Sequence, residues 1–348
     1  MSSGSSLMEP ASRSGATFGS RARLAGTTVA RVGGLLIAVV VIMALFTYLS
    51  DGRFFSVNNL LGLLRYMSTV AIVGLGLTLV IVVGEIDLSF ASVYGVSSMI
   101  VAVAWILWGW PIYAAIPLGF AVAVLIGAFN AFFTTVVGIP SFIATLGSST
   151  LVFGFTILIS NTASLNPAYP PTGREIDPGQ LAFFTGLSNQ DLPFGFPMQA
   201  VWMVGAGLIF AFLLGRALFG FRLKAIGGNP TAARLARLPV RKYKFLAFIL
   251  CSVMAALAGI LDFAFIGSVQ VNAGQSLLFP VFSAVIIGGA SLAGGRGTVV
   301  GTLGGALLLA VLANGLALIV IQSFAQPMLL GAVTIGAVVL DRFTQGLR

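Results

Sequence analysis

Long runs of apolar residues, separated by short polar intervals, make up most of this 348-residue chain. The apolar positions are continuous rather than alternating, which favours helices over strands. A helix needs roughly 20 apolar residues to cross the hydrocarbon of a bilayer, where its backbone must satisfy its own hydrogen bonds. Most runs approach that length, so the pattern predicts an all-α polytopic membrane protein with about ten transmembrane helices. The predicted segments are 33–49, 60–83, 88–108, 111–137, 139–159, 199–219, 245–266, 279–294, 298–321 and 326–341.

The polar intervals differ in charge, and this difference predicts the orientation of the chain. Residues 1–32 are rich in Ser, Gly and Ala with several Arg, which predicts a disordered basic leader. Segment 220–244 is basic without any acid, whereas the longest polar interval, 160–198, carries an acidic excess. Because Lys and Arg mark cytoplasmic loops, the first two should be cytoplasmic and the third periplasmic. Counting crossings through the transmembrane domain, 33–342, agrees and leaves the tail, 343–348, in the cytoplasm.

Composition narrows the possible functions. The chain is 58% hydrophobic and only 8% charged, which is far from the balance of a soluble domain. Topology explains the net charge of +9, and no basic patch interleaved with aromatics indicates nucleic-acid binding. The chain has no histidine, so we predict neither a metal site nor a catalytic residue. Cys251 is the only cysteine, which rules out an intrachain disulfide.

Two carboxylates, Glu85 and Asp87, stand inside the apolar pattern in the stretch VIVVGEIDLSFAS, residues 80–92. In a continuous helix they would point about 200° apart, but Gly84 allows a local break. One interpretation is a solvated turn between two segments at the cytoplasmic surface. The other is a broken helix near a translocation path, because intramembrane carboxylates face a bundle interior or an aqueous cavity.

The basic linker AIGGNPTAARLARLPVRKYK, residues 225–244, predicts a short helix of its own. Asn229 suits the N-cap, Pro230 suits the first helical position, and the helix must end before Pro239. About two turns of helix are not stable alone, so this helix should dock against something. It either lies on anionic lipid or sits as a knob in another subunit.

From about residue 54 to residue 342, the chain resembles the membrane permease subunits of bacterial ATP-binding-cassette (ABC) importers for ribose and other simple sugars. The stretch at 59–89, NLLGLLRYMSTVAIVGLGLTLVIVVGEIDLS, is similar to the family's segment ending in Gly-Gly-Ile-Asp-Leu-Ser. Other similar stretches are GIPSFIATLG (138–147), AIGGNPTAARLARLPV (225–240), SVMAALAGIL (252–261) and VIIGGASLAGGRGTVVGTLGGALLLAVLANGL (285–316). Several long motifs in the right order are more specific than any single Gly pattern.

The resemblance implies a type II ABC importer permease fold, paired with a second permease subunit in the bacterial inner membrane. It also implies a cytoplasmic ATPase that holds ATP and magnesium, and a periplasmic solute-binding protein. No G-x-x-x-x-G-K-[ST] stretch occurs here, so this chain should hold no cofactor and should not be an enzyme. The residues expected to couple to the ATPase are Gly228, Asn229, Ala233, Arg234, Leu235 and Pro239. The residues assigned to the substrate pathway are Glu85, Asp87, Ser89, Asn130 and Thr145.

Two other functions stay open at this point. Glu85 stands where the family usually has Gly, so the family's sugar is not transferred to this chain. A proton-coupled secondary transporter could use Glu85 and Asp87, but it leaves the basic helix unexplained. A membrane enzyme is the other possibility, for which no nucleophile and base occur in motif spacing.

Overall fold

A computed structural model describes residues 18–319 except Thr172 and Asp191, together with isolated positions between 328 and 339. Apart from short helical turns and one isolated antiparallel bridge, Leu165 to Val269, the regular structure in that part of the chain is helical. Its helices are Phe18–Leu49 (α1), Val57–Val82 (α2), Phe90–Leu107 (α3), Ile112–Val137 (α4), Ser141–Ser160 (α5), Pro178–Asn189 (α6), Met198–Gly215 (α7), Leu218–Gly228 (α8), Pro230–Leu235 (α9), Val240–Ile266 (α10), Leu278–Ile287 (α11) and Val299–Leu318 (α12).

Within the described residues, seven helices are long and apolar enough to cross a membrane: α2, α3, α4, α5, α7, α10 and α12. They confirm seven of the predicted segments. Two further segments appear as shorter apolar helices, Gly33–Leu49 within α1 and Gln275–Ile287 around α11. The last predicted segment, 326–341, lies almost wholly outside the described residues, so the count of about ten stays a prediction.

The helix α1 begins well before the apolar run that predicts it. Residues 18–32, assigned above to a disordered leader, are helical, which corrects that boundary. The physical reason is local, because Ala, Leu and Arg in this stretch are good helix formers and extend the apolar helix that follows. Residues 1–17 and the tail 343–348 lie outside the described part of the chain.

The centre of the bundle is the crossing of α2 and α10, which run in opposite directions. They approach so closely that a Cβ on Gly76 would lie 2.8 Å from the Cα of Cys251. Small residues allow such contacts between membrane helices. α2 also packs against α11 and α12, and α10 packs against α3 and α4. The first helix of each triplet, α2–α3–α4 or α10–α11–α12, therefore packs against the second and third helices of the other triplet. Because α2 and α10 run in opposite directions, the two triplets are inverted relative to each other.

Each triplet contains a break after its first helix. Residues 84–89 are non-helical between α2 and α3, and the largely non-helical residues 267–277 separate α10 from α11. Gly84 (φ 85°) and Gly267 (φ 74°) open the two breaks in a left-handed conformation that glycine adopts without strain. The first break begins at the end of the bundle that carries residues 220–244, called the basic end here. The second lies at the opposite end, called the loop end, which carries residues 160–198.

The predicted segment 279–294 is wrong as a single spanning helix. Its helix ends at Ile287, and the next residues form a loop until α12 begins at Val299. Gly289 and Gly294 both have positive φ in this loop, which ends the helical backbone. The loop reaches the basic end, where the Gly295 amide donates to the carbonyl of Val82 at 2.8 Å.

Candidate functional site

The first break, residues 84–89, lies alongside the start of α5. The Ile86 amide donates to Ser141 Oγ at 3.0 Å, and the Leu88 amide donates to Thr145 Oγ1 at 3.1 Å. These side chains replace the helical backbone partners that the break removes. The structure therefore confirms the local break that Gly84 allows, and Thr145 accepts a hydrogen bond from it.

Asp87 is fully buried within this break. Its Oδ1 accepts the Ser89 amide at 2.8 Å and the Ser89 hydroxyl at 2.6 Å. The Ser89 hydroxyl in turn accepts from Asn130 Nδ2 at 2.7 Å. A carboxylate directly before the first turn of α3 also interacts favourably with the dipole of that helix. The solvated-turn interpretation is therefore wrong for Asp87, and three predicted residues form one hydrogen-bonded group.

The depth of Asp87 in the bundle can be read from α10. The thiol of Cys251 lies next to the Asp87 carboxylate. Cys251 follows the start of α10 at Val240 by roughly 17 Å of helix, at the usual rise per residue. The Asp87 group is thus near the middle of a helix long enough to cross a membrane.

Glu85 takes a different partner. Its carboxylate forms an ion pair with Lys244 Nζ, near the start of α10, and the two side chains are 12% and 16% exposed. The two acids therefore do not act on each other, because Glu85 faces the basic segment and Asp87 faces Ser89. Lys244 was not among the predicted site residues. In the sequence, Lys244 is one of several cationic residues in the basic linker, and nothing sets it apart from the others.

The predicted short helix at Asn229 and Pro230 is confirmed as α9. Asn229 Oδ1 accepts the Ala232 amide at 2.9 Å, which is the N-cap bond expected from the sequence. The helix ends at Leu235, and Arg237 (φ 58°) turns the chain before Pro239. Ala233 is buried, so α9 is anchored on one side.

The other side of α9 is open. Arg234 is exposed, and Leu235 is 82% exposed. An apolar side chain held out from a capped helix at this level of exposure is available for contact with another molecule. The cluster of Arg234 and Leu235 is called the α9 tip here.

A cavity of about 830 Å³ lies beside α9 at the basic end. Its lining is strongly basic and includes no acid; it consists of Thr134, Thr135, Gly138, Arg234, Leu238, Pro239, Val240, Arg241, Lys242 and Lys244. Lys244 thus contacts both this basic cavity and, through Glu85, the first break.

Two adjacent glycines at this end differ in their packing within the chain, and the assignment of Gly228 to the ATPase contact stays a prediction. A Cβ on Gly227 would lie 1.9 Å from the Val82 carbonyl oxygen, whereas one on Gly228 would meet nothing within 4 Å. Sequence alone cannot tell the two adjacent glycines apart. Nearby, Lys224 Nζ donates to the Leu214 carbonyl at 3.0 Å, and partial burial lowers the pKa of Lys224.

Comparisons with known proteins all match this chain to permease components of transport systems. A family model described as branched-chain amino acid transport system / permease component matches residues 59–338. The chain is 35% identical to the ribose import permease protein RbsC of Escherichia coli (strain K12) over 313 residues, which cover 89% of this chain and 93% of that protein. It is 37% identical to RbsC of Bacillus subtilis (strain 168) over 309 residues, covering 89% and 91%. It is 30% identical to the xylose transport system permease protein XylH of Haemophilus influenzae over 356 residues, covering 88% and 95%.

Proposed function

Because the chain belongs to the family of branched-chain amino acid transport system permease components, we propose that it is the translocation subunit of an ATP-driven importer for a sugar or a related small polar solute. The sugar class is supported by the names of relatives that match it over nearly their whole length, which are ribose and xylose permeases. The chain is a multi-pass membrane protein that carries the solute path and leaves nucleotide chemistry to a partner.

The observation that carries this proposal is the connection between a buried break and an exposed basic helix. Asp87 and its partners hold an irregular segment deep in the bundle. Lys244 ties the start of that segment, through Glu85, to the α10 turn that lines the basic cavity beside α9. Transporters use discontinuous helices to build a path, and an importer driven from outside the membrane needs a mechanical link to it.

We assign the basic end to the cytoplasm, because Lys and Arg concentrate there. In this orientation the α9 tip inserts into an ABC ATPase, which binds ATP and magnesium. The loop end then faces the periplasm, where residues 160–198 with α6 approach a solute-binding protein. A second copy of the permease completes the path, and both chain termini are cytoplasmic.

The proton-coupled alternative has less support. A relay through Glu85 and Asp87 needs the two carboxylates to exchange protons along a path, but each has a partner of its own, Lys244 for Glu85 and Ser89 for Asp87. It also gives no role to the exposed α9 tip. A secondary transporter would move solute without an ATPase, which provides a direct distinction.

The coupling assignment is tested by Arg234→Glu combined with Leu235→Ala. The double variant removes the charged and the apolar contact of the α9 tip, but neither side chain is buried, so membrane insertion should be unchanged. We expect it to abolish co-purification of the ATPase in detergent and transport-linked ATP hydrolysis.

The matched control is Arg216→Glu with Leu218→Ala, which makes the same changes at exposed positions outside α9. This control should retain the ATPase. If the α9 variant binds the ATPase as well as the control does, and loses only affinity for anionic vesicles, the helix is a lipid-surface helix and the coupling assignment is wrong.

A further inference from the structure

A second polar cavity, of about 310 Å³, lies at the loop end, away from the Asp87 group. It is called the loop-end cavity here. Helices α2, α3 and α10 and the second break all contribute to it. Its polar lining includes Tyr66, Thr69, Tyr94, Asp262, Gln270 and Ser276. Hydroxyl, amide and carboxylate groups thus converge on one space between helices that are otherwise apolar.

Asp262 is the only acid that lines this cavity. Its Oδ1 accepts from Thr69 Oγ1 at 2.9 Å, and its Oδ2 accepts from the hydroxyl of Tyr94. Each carboxylate oxygen can accept a second hydrogen bond. Within the described residues no Lys or Arg forms an ion pair with it. A carboxylate in a membrane helix without a cationic partner is costly, and such residues usually serve a solute or ion path.

The second break builds this cavity. After α10 the chain turns at Gly267 and runs back against α3 before α11 begins. The approach is close, because a Cβ on Gly95 would lie 2.4 Å from the Ala273 carbonyl oxygen. A Cβ on Gly274 would lie 2.2 Å from the Ala91 carbonyl oxygen. The break therefore brings Gln270 and Ser276 into the lining of the same cavity as Asp262, as discontinuous helices do in solute sites of transporters.

We propose that the loop-end cavity binds a polyhydroxylated solute within the permease itself. This inference rests on the proposed function, because the solute would be the importer's cargo. Asp262 accepts solute hydroxyls in charge-assisted hydrogen bonds, which are stronger than neutral ones. Tyr66 and Tyr94 offer apolar ring faces with polar hydroxyls, and Gln270 can both donate and accept. The cavity volume is at the lower end of the range for small-molecule sites, which suits a monosaccharide.

The position of Asp262 gives this site a role in the transport sequence. It lies four residues before the end of α10 at Ile266, which is about 6 Å of helix. A solute that enters from the loop end meets this cavity before it reaches the depth of Asp87. The cavity is therefore a first contact for solute released on that side, and it contributes to solute preference.

The test measures direct binding to the purified permease–ATPase complex without the solute-binding protein. The probes are radiolabelled D-ribose, D-xylose, D-glucose and myo-inositol. We expect saturable binding of at least one probe, weakened about tenfold by Asp262→Asn because a charge-assisted bond is lost. Gln270→Ala, an exposed residue outside the packed core, should weaken the same binding by a smaller factor.

Asp51→Asn is the matched control, since it removes an exposed acid at the same end of the bundle. It should bind the probe like the parent. The inference is overturned if no probe binds, if Asp262→Asn binds the probe like the parent, or if the preparation binds only sodium in an Asp262-dependent manner. ATPase retention and binding-protein-dependent uptake are measured on the same preparation. Intact uptake with sugar binding unaffected by Asp262→Asn rejects the cavity alone. Absence of ATP-dependent uptake by the parent complex rejects the proposed function.

Discussion

Two acids that are separated by one residue in the sequence have different physical roles. Asp87 stabilises the backbone of the break, because it accepts the amide of Ser89 in a region that water does not reach. Glu85 instead joins the break to Lys244 at the edge of the basic cavity. The first role is structural and belongs to the family motif. The second depends on an acid where the family usually has Gly.

Replacing Asp87 by Ala should lower the stability of the folded permease. The change leaves the Ser89 amide and the Ser89 hydroxyl without their acceptor, which costs about 1–3 kcal/mol for a buried group. Asp87→Asn keeps an oxygen acceptor and should be milder. The melting temperatures of the parent and the two variants are compared in detergent, with unfolding monitored by size-exclusion chromatography. Equal melting temperatures for Asp87→Ala and the parent would contradict this role.

Reversing the charge of Lys244 should impair ATP-dependent uptake, because Lys244→Glu places two acids in contact. The two side chains are only 12% and 16% exposed, so the folding of the single variant is checked by size-exclusion chromatography before uptake is measured. The double variant Glu85→Lys with Lys244→Glu restores an ion pair and should recover uptake. Failure of the double variant to exceed the single one would show that the pair does not link the two segments.

Glu85→Gly, the family's residue, should retain ATPase assembly.

At the scale of helices and breaks, the sequence predicted the features that depend on neighbouring residues in the chain. The N-cap at Asn229, the end of α9 before Pro239 and the break at Gly84 were all visible in the sequence. The short α11 was not, because its apolar run continues beyond Ile287, and the positive φ that Gly289 adopts just after it is not visible in the sequence. Lys244, Ser141 and Asp262 were missed for a related reason, since their partners lie far away in sequence.

The packing at the basic end can be tested with two adjacent glycines of α8. Gly227→Ala puts a methyl group against the Val82 carbonyl, whereas Gly228→Ala meets nothing within 4 Å. We expect the first to destabilise the protein by about 1–3 kcal/mol and to reduce uptake. The second should be neutral or slightly stabilising, because Ala favours a helix over Gly. Equal behaviour of the two variants would contradict the packing of α8 against the end of α2.

At the scale of the whole molecule, the two breaks of the inverted triplets begin at opposite ends of the bundle. The break after α2 is tied to the basic segment, and the break after α10 forms the loop-end cavity. An importer must open to one side and then to the other, and inverted repeats provide two related states for this change. We therefore expect motion at α9 to be transmitted through Lys244 to the first break while the second break meets the solute.

The central claim is tested most directly by uptake into proteoliposomes that contain the permease with its ATPase, with the solute-binding protein outside and ATP enclosed. The account predicts uptake of a sugar that requires all three proteins and enclosed ATP and magnesium, and that is unaffected when a proton gradient is collapsed. Uptake by the permease alone, driven by a proton gradient and independent of ATP, would contradict it.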